Sequence, residues 1–115
     1  MNTLNDFSNT EKMPVLFLGH GSPMNAIEEN EFVSNFRNLA KTLPEPNAIL
    51  CISAHWFTNG TKVTAMEMPR TIHDFGGFPQ ALFDVEYPAK GSPELAVETT
   101  KLLLPTEVEL DEHWG

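Results

Sequence analysis

The chain carries four histidines, and two of them close short apolar runs. His20 follows "PVLFLG" and stands between Gly19 and Gly21, while His55 follows "NAILCISA" and precedes Trp56. Imidazole is the commonest metal-binding side chain. Its unperturbed pKa of about 6.5 leaves it mostly in the neutral, ligating form near neutral pH. Glycine on both sides of His20 lets the backbone turn sharply where a ligand approaches. A catalytic metal site needs about three protein ligands and an open position, so two histidines are an incomplete set. His73, Asp74, Glu67, Asp111 and His113 are the candidates within the chain to complete it. Plainer readings stand beside this one. A lone histidine after a strand more often serves a turn or a hydrogen bond. "GHGSP" is not the G-x-S-x-G elbow of a hydrolase, because Ser22 lacks the required flanking, and no Gly-Lys-Ser/Thr follows to make a phosphate loop. Anion binding by the Gly21–Ser22 backbone is a weak further reading.

A second chemically dense stretch is "HDFGGF". His73 and Asp74 either satisfy a turn, with Gly76 and Gly77 supplying positive φ, or belong to a functional lid. They lie in a segment from Pro69 to Gly91 that is rich in proline, glycine and aromatics. So long an irregular stretch is usually functional or disordered, and Phe75, Phe78, Leu82, Phe83 and Tyr87 argue against disorder. Trp56 and Phe57 read first as core residues.

Periodicity supplies the elements that must position these residues. Residues 14–19 and 47–54 are short, continuous apolar runs, the pattern of strands buried on both faces. Residues 62–67 and 106–110 alternate and suit strands nearer an edge. In "EFVSNFRNLAKTL", Phe32, Phe36, Leu39, Ala40 and Leu43 share a helical face; Asn30 is a good N-cap, and Pro44 and Pro46 stop the helix. In "SPELAVETTKLLLP", Ser92 caps, Pro93 suits the first position, and Leu95, Ala96, Thr99, Leu102 and Leu103 share a face. The first strand, helix and second strand make a βαβ unit, which predicts an α/β fold with a largely parallel sheet. Both carboxyl ends of such a unit lie on one edge, where open α/β sheets bind ligands. Neighbouring strands about 4.8 Å apart would let His20 and His55 share a metal.

Composition bounds the partners. Seven Lys and Arg stand against sixteen Asp and Glu, a net charge of −9. Nucleic acid and anionic membranes are therefore disfavoured, since affinity for phosphates rests on Lys and Arg. No apolar run reaches 18 residues, and "MNTLNDFSNTEKM" has the pattern of neither a signal nor a transit peptide. The single cysteine, Cys51, sits in an apolar run and reads as a small core residue. A reducing, cytoplasmic setting is expected. A loosely ordered start is expected over residues 1–12. The ending "EVELDEHWG" does not look like a finished domain, so the sequence reads as the front part of a longer protein.

Taken together, "MPVLFLGHGSPMNAIE", "SAHWFT", "TAMEMPRTIHDFGGFPQALFDVEYPAKGSPELA" and "LDEHWG" resemble, in order, the class III extradiol ring-cleavage dioxygenases. The branch is the 4,5-DOPA dioxygenase extradiol family, and the resemblance covers residues 13 to 115. It implies a non-haem metal enzyme on an α/β fold that opens catechol-type, DOPA-like rings with O2 to give a semialdehyde. His20 and His55 match the family's first two metal-binding histidines. A further histidine ligand and the acid–base histidine are implied to lie in a C-terminal half that is missing here. Residues 13–115 are then the N-terminal part of one catalytic domain, and the chain alone lacks a complete site. Fe(II) is the implied cofactor, with Zn(II) able to occupy the same ligands. Catechol and O2 are the implied partners, and His73, Phe75 and Phe78 are expected to close over the ring. Two other readings are a tetrapyrrole metal chelatase, which shares a "GHGS"-like turn but lacks "SAHWF" and "IHDFGGFP", and a catalytically silent metal-binding or interaction fragment that self-associates.

Overall fold

The computed structural model describes residues 10–115. The first nine residues of the loosely ordered start expected over 1–12 lie outside the described residues. The described chain divides into two compact units, one of residues 48–72 and 87–115 and one of residues 10–47 and 73–86.

The first unit is built on a parallel strand pair, β1 (Thr61–Thr64) and β2 (Val108–Asp111). Thr61 stands opposite Val108, and Thr64 opposite Asp111. The Ala65 N–H extends the ladder by donating to the Asp111 carbonyl at 2.7 Å. Parallel strands need a long crossover. Helix α3 (Pro93–Leu102) lies within it and packs on both strands. The helix starts as its sequence dictates: Ser92 Oγ accepts from the Leu95 N–H at 3.3 Å, and Pro93 takes a first-turn position that needs no donor. Its buried face is Ala96 and Thr99, and the Thr99 hydroxyl donates to the Leu95 carbonyl at 2.7 Å, so no orphaned hydroxyl is buried. Gly91 leads into this helix where two backbones meet. A Cβ there would lie 2.0 Å from the Met66 carbonyl oxygen, so only glycine fits.

The second unit holds a 3-10 turn (Pro23–Ala26), α1 (Glu31–Thr42) and the short α2 (Gln80–Phe83). Asn30 caps α1, its Oδ1 accepting from the Val33 N–H at 3.0 Å, and Glu31 sits in the first turn. The buried line of α1 differs from the expected one. Val33 is buried and Phe36 and Leu39 are half-buried, while Phe32 is exposed. The apolar face is wide enough for the helix to rotate by one position, and Val33 takes the inner place. In α2, Leu82 is the most buried of the described core residues, at 2% exposure. The helix packs against the 3-10 turn.

The α/β class and the parallel sheet are as the sequence indicates, but a different strand pair forms the sheet. Residues 14–19 and 47–54 are not strands. A strand exists through the ladder it shares, and these segments have none among the described residues. Their apolar side chains stand in the open, with Val15 at 99%, Phe17 at 103% and Ile52 at 95% exposure. Cys51, expected as a core residue, is exposed for the same reason. The expected βαβ frame for His20 and His55 is therefore not formed. Among the described residues, no helix is long and apolar enough to cross a membrane.

Candidate active site

The loop that carries His20 is held by its own sequence. Gly21 takes φ 69, in the left-handed region that glycine favours. Ser22 then caps the 3-10 turn, its Oγ accepting from the Met24 N–H at 3.2 Å and its carbonyl from the Asn25 N–H at 3.0 Å. The His20 ring bonds through Nδ1 to the Gly21 carbonyl at 2.8 Å. A carbonyl only accepts, so Nδ1 carries the proton, and the neutral ring keeps its acceptor lone pair on Nε2. Metal-ligating histidines commonly show this arrangement, one ring nitrogen donating to a backbone carbonyl while the other ligates. The His20 ring is exposed.

His55 belongs to the other unit and is also exposed. Its N–H donates to Ser53 Oγ at 3.1 Å. The next residue, Trp56, stacks on Trp114 with centroids 6.0 Å apart and planes within 10°. A turn built by Asp111 braces that stack. Its Oδ2 accepts from the Trp114 N–H at 2.7 Å and the His113 N–H at 3.1 Å, and Arg70 Nε donates to the Trp114 carbonyl at 3.1 Å. The Trp114 N–H above all, then the His113 N–H and the His113 and Lys62 charges, hold the Asp111 carboxyl below the usual aspartate range, against the opposing effect of burial. A depressed folded pKa means a contribution to stability that is present above the unfolded value, about 3.9. It is lost as pH falls through the folded value. Acidification below pH 4 is thus expected to weaken the far-ultraviolet exciton signal of the tryptophan pair, and Asp111→Ala to weaken it at every pH. A circular dichroism titration checks both.

Asp111 therefore serves as a turn brace. Among the described residues no group of three or more His, Cys, Asp or Glu gathers closely enough to hold a metal ion. Glu67, His73, Asp74, Asp111 and His113 thus do not complete such a group.

His73 instead heads an aromatic cluster in the second unit. Its Nε2–H donates to the Val85 carbonyl at 2.8 Å, which places the acceptor lone pair of the neutral ring on Nδ1. Phe75 meets the ring edge-on at 6.1 Å, and Phe83 lies at 6.1 Å with a 44° tilt. Phe75 also contacts Phe78 at 5.3 Å and Phe83 at 5.2 Å. All four rings are half-buried. These are the offset and edge-on geometries aromatic quadrupoles favour. Gly77 takes φ 79, whereas Gly76 does not adopt a positive φ. The contact of α2 with the 3-10 turn brings this segment against the loop of His20. Phe83 joins the cluster too, though the sequence marks it only as one of the apolar residues that argue against disorder. Its helix has four residues, too few for periodicity to reveal.

Comparison with known proteins places the chain in a family. The chain is 62% identical over 105 residues to the 4,5-DOPA dioxygenase extradiol of Escherichia coli (strain K12), an alignment covering 90% of this chain and 39% of that protein. It is 42% identical over 91 residues to the Beta vulgaris protein of the same name, covering 76% of this chain and 34% of the relative. Dioxygenase tasH of Hapsidospora irregularis is 31% identical over 74% of this chain and 30% of its own length. The chain thus spans well under half the length of these curated relatives. Residues 13–113 match the family described as the catalytic LigB subunit of aromatic ring-opening dioxygenase, and the chain belongs to that family.

Proposed function

We propose that this chain carries the N-terminal part of a metal-dependent extradiol dioxygenase that opens catechol-type, DOPA-like rings with O2. The family match over residues 13–113 carries the reading. It includes the stretches "SAHWF" and "IHDFGGFP" that the chelatase reading lacked. His20 and His55 are the two metal ligands this chain supplies. Their donor chemistry fits, since imidazole suits iron and zinc, and the His20 tautomer makes Nε2 the ring's acceptor nitrogen. The set is short by at least one ligand, which we assign, with the acid–base histidine, to the length of the relatives that this chain does not span. Fe(II), when bound, supplies Lewis acidity toward the catechol oxygens and the redox chemistry that O2 requires, and Zn(II) in the same ligands supplies only the former. The chain's own residues receive the ring. Phe75, Phe78 and Phe83 offer an apolar, edge-faced surface that excludes water, and His73 Nδ1 accepts from a substrate hydroxyl. Both atoms of O2 end in the ring-opened semialdehyde, and no other reductant is consumed.

We also infer a reducing, cytoplasmic setting from the lone cysteine, and no nucleic-acid partner from the net charge of −9. The test of the reading uses a protein carrying these residues at the full length of the relatives. It is loaded with Fe(II) without oxygen, then given catechol or DOPA and O2. A yellow ring-opened product carrying both atoms of labelled O2 is expected. His73→Ala should raise KM about tenfold or more with a smaller change in kcat, from the loss of one hydrogen bond of roughly 1–2 kcal/mol. No ring-opened product overturns the reaction, and unchanged kinetics overturn the role of His73.

A further inference from the structure

The loop of His20 is tied to α1 by a chain of side-chain hydrogen bonds whose direction is fixed at both ends. At the helix end the Val33 N–H, which can only donate, reaches Asn30 Oδ1 at 3.0 Å. The other half of that amide, Asn30 Nδ2, donates to Asn25 Oδ1 at 2.8 Å. Asn25 Nδ2 donates in turn to the His20 carbonyl at 2.9 Å, a group that can only accept. Neither amide can flip without setting two donors or two acceptors face to face. The loop closes tightly on this relay: a Cβ at Gly21 would lie 3.1 Å from Asn25 Nδ2. The carbonyl gripped by Asn25 belongs to His20, and the ring of the same residue rests on the next carbonyl, that of Gly21, at 2.8 Å. The two bonds fix the main chain and the ring of one residue together.

We propose that Asn25 and Asn30 are positioning residues for His20. Their two-amide relay carries the fixed orientation of the α1 N-terminus to the loop and holds His20 Nε2 in place for a divalent metal. The proposal rests on the ligand role of His20 argued above. Asn30 has two duties that substitution can separate. Asp caps a helix about as well as Asn, but its carboxylate has no proton to donate to Asn25. Asn30→Asp thus keeps the cap and breaks the relay, and Asn25→Asp breaks it one step further on.

The probe is Zn(II), titrated against a chromophoric chelator into a protein carrying these residues at the full length of the relatives. Amide hydrogen exchange is read in parallel over residues 22–28 and over α1. Each relay variant should bind Zn(II) about tenfold more weakly, the scale for groups that orient a metal-ligating histidine. Protection should fall over residues 22–28 and persist in α1. In a His20→Ala background the same substitutions should cost nothing further, since they act through His20. Wild-type affinity in the relay variants overturns the proposal, as does a tenfold loss that persists without His20. Should His20→Ala alone leave Zn(II) affinity unchanged, the ligand role of His20 falls instead, and that result is distinct from either of the others.

Discussion

Replacing His20 or His55 with alanine is expected to reduce metal affinity by more than about a hundredfold and to abolish ring opening in the full-length protein. Changes to groups that merely orient a ligand cost roughly 10- to 100-fold, so removing a ligand should exceed that range. Stability should barely change, because both rings are exposed and neither fills a core position. That separation is the useful part. Asp111→Ala should loosen the fold around Trp114 with a far smaller loss of metal affinity, whereas the histidine variants should do the reverse. Metal content by elemental analysis, read beside a thermal melt, distinguishes the two.

The second large effect concerns the chain in isolation. Val15, Phe17, Ile49 and Ile52 are 99%, 103%, 75% and 95% exposed, on segments with no ladder among the described residues. Exposed apolar backbone of this kind pairs with whatever edge it meets. We expect the 115-residue chain to self-associate at micromolar concentration, giving a light-scattering mass at least twice that of one chain. Phe17→Asp together with Ile52→Asp should lower that mass, because each places a charge in the strand that would have to be buried. A stable monomer at all concentrations would contradict the expectation.

Much of this molecule is legible in its sequence where the signal is local. Asn30 and Ser92 announce their helices because a short polar side chain can satisfy a free N–H only from the cap position. The alternating runs 62–67 and 106–110 overlap β1 at 62–64 and β2 at 108–110. Their pairing with each other was not legible, since nothing local links Thr61 to Val108. The runs 14–19 and 47–54 show the limit in reverse. Their strand propensity is plain, yet a strand needs partners that propensity does not supply. At the site, the residue types of His20, His55, His73, Phe75 and Phe78 stood out. The tautomers of His20 and His73 did not, because each depends on a carbonyl that only the fold brings to the ring. Asn25 passed unnoticed because its donor and acceptor acquire meaning only between His20 and Asn30.

The claim on which the rest depends is that His20 and His55 bind one metal ion. X-ray absorption on the full-length protein loaded with one equivalent of Fe(II) or Zn(II) tests it most directly. Imidazole nitrogen at about 2.0–2.1 Å from the metal is expected, with the outer-ring scattering of at least two histidines. One histidine's share should be lost in His20→Ala and one in His55→Ala. An all-oxygen first shell, or a spectrum unchanged in either variant, would contradict it.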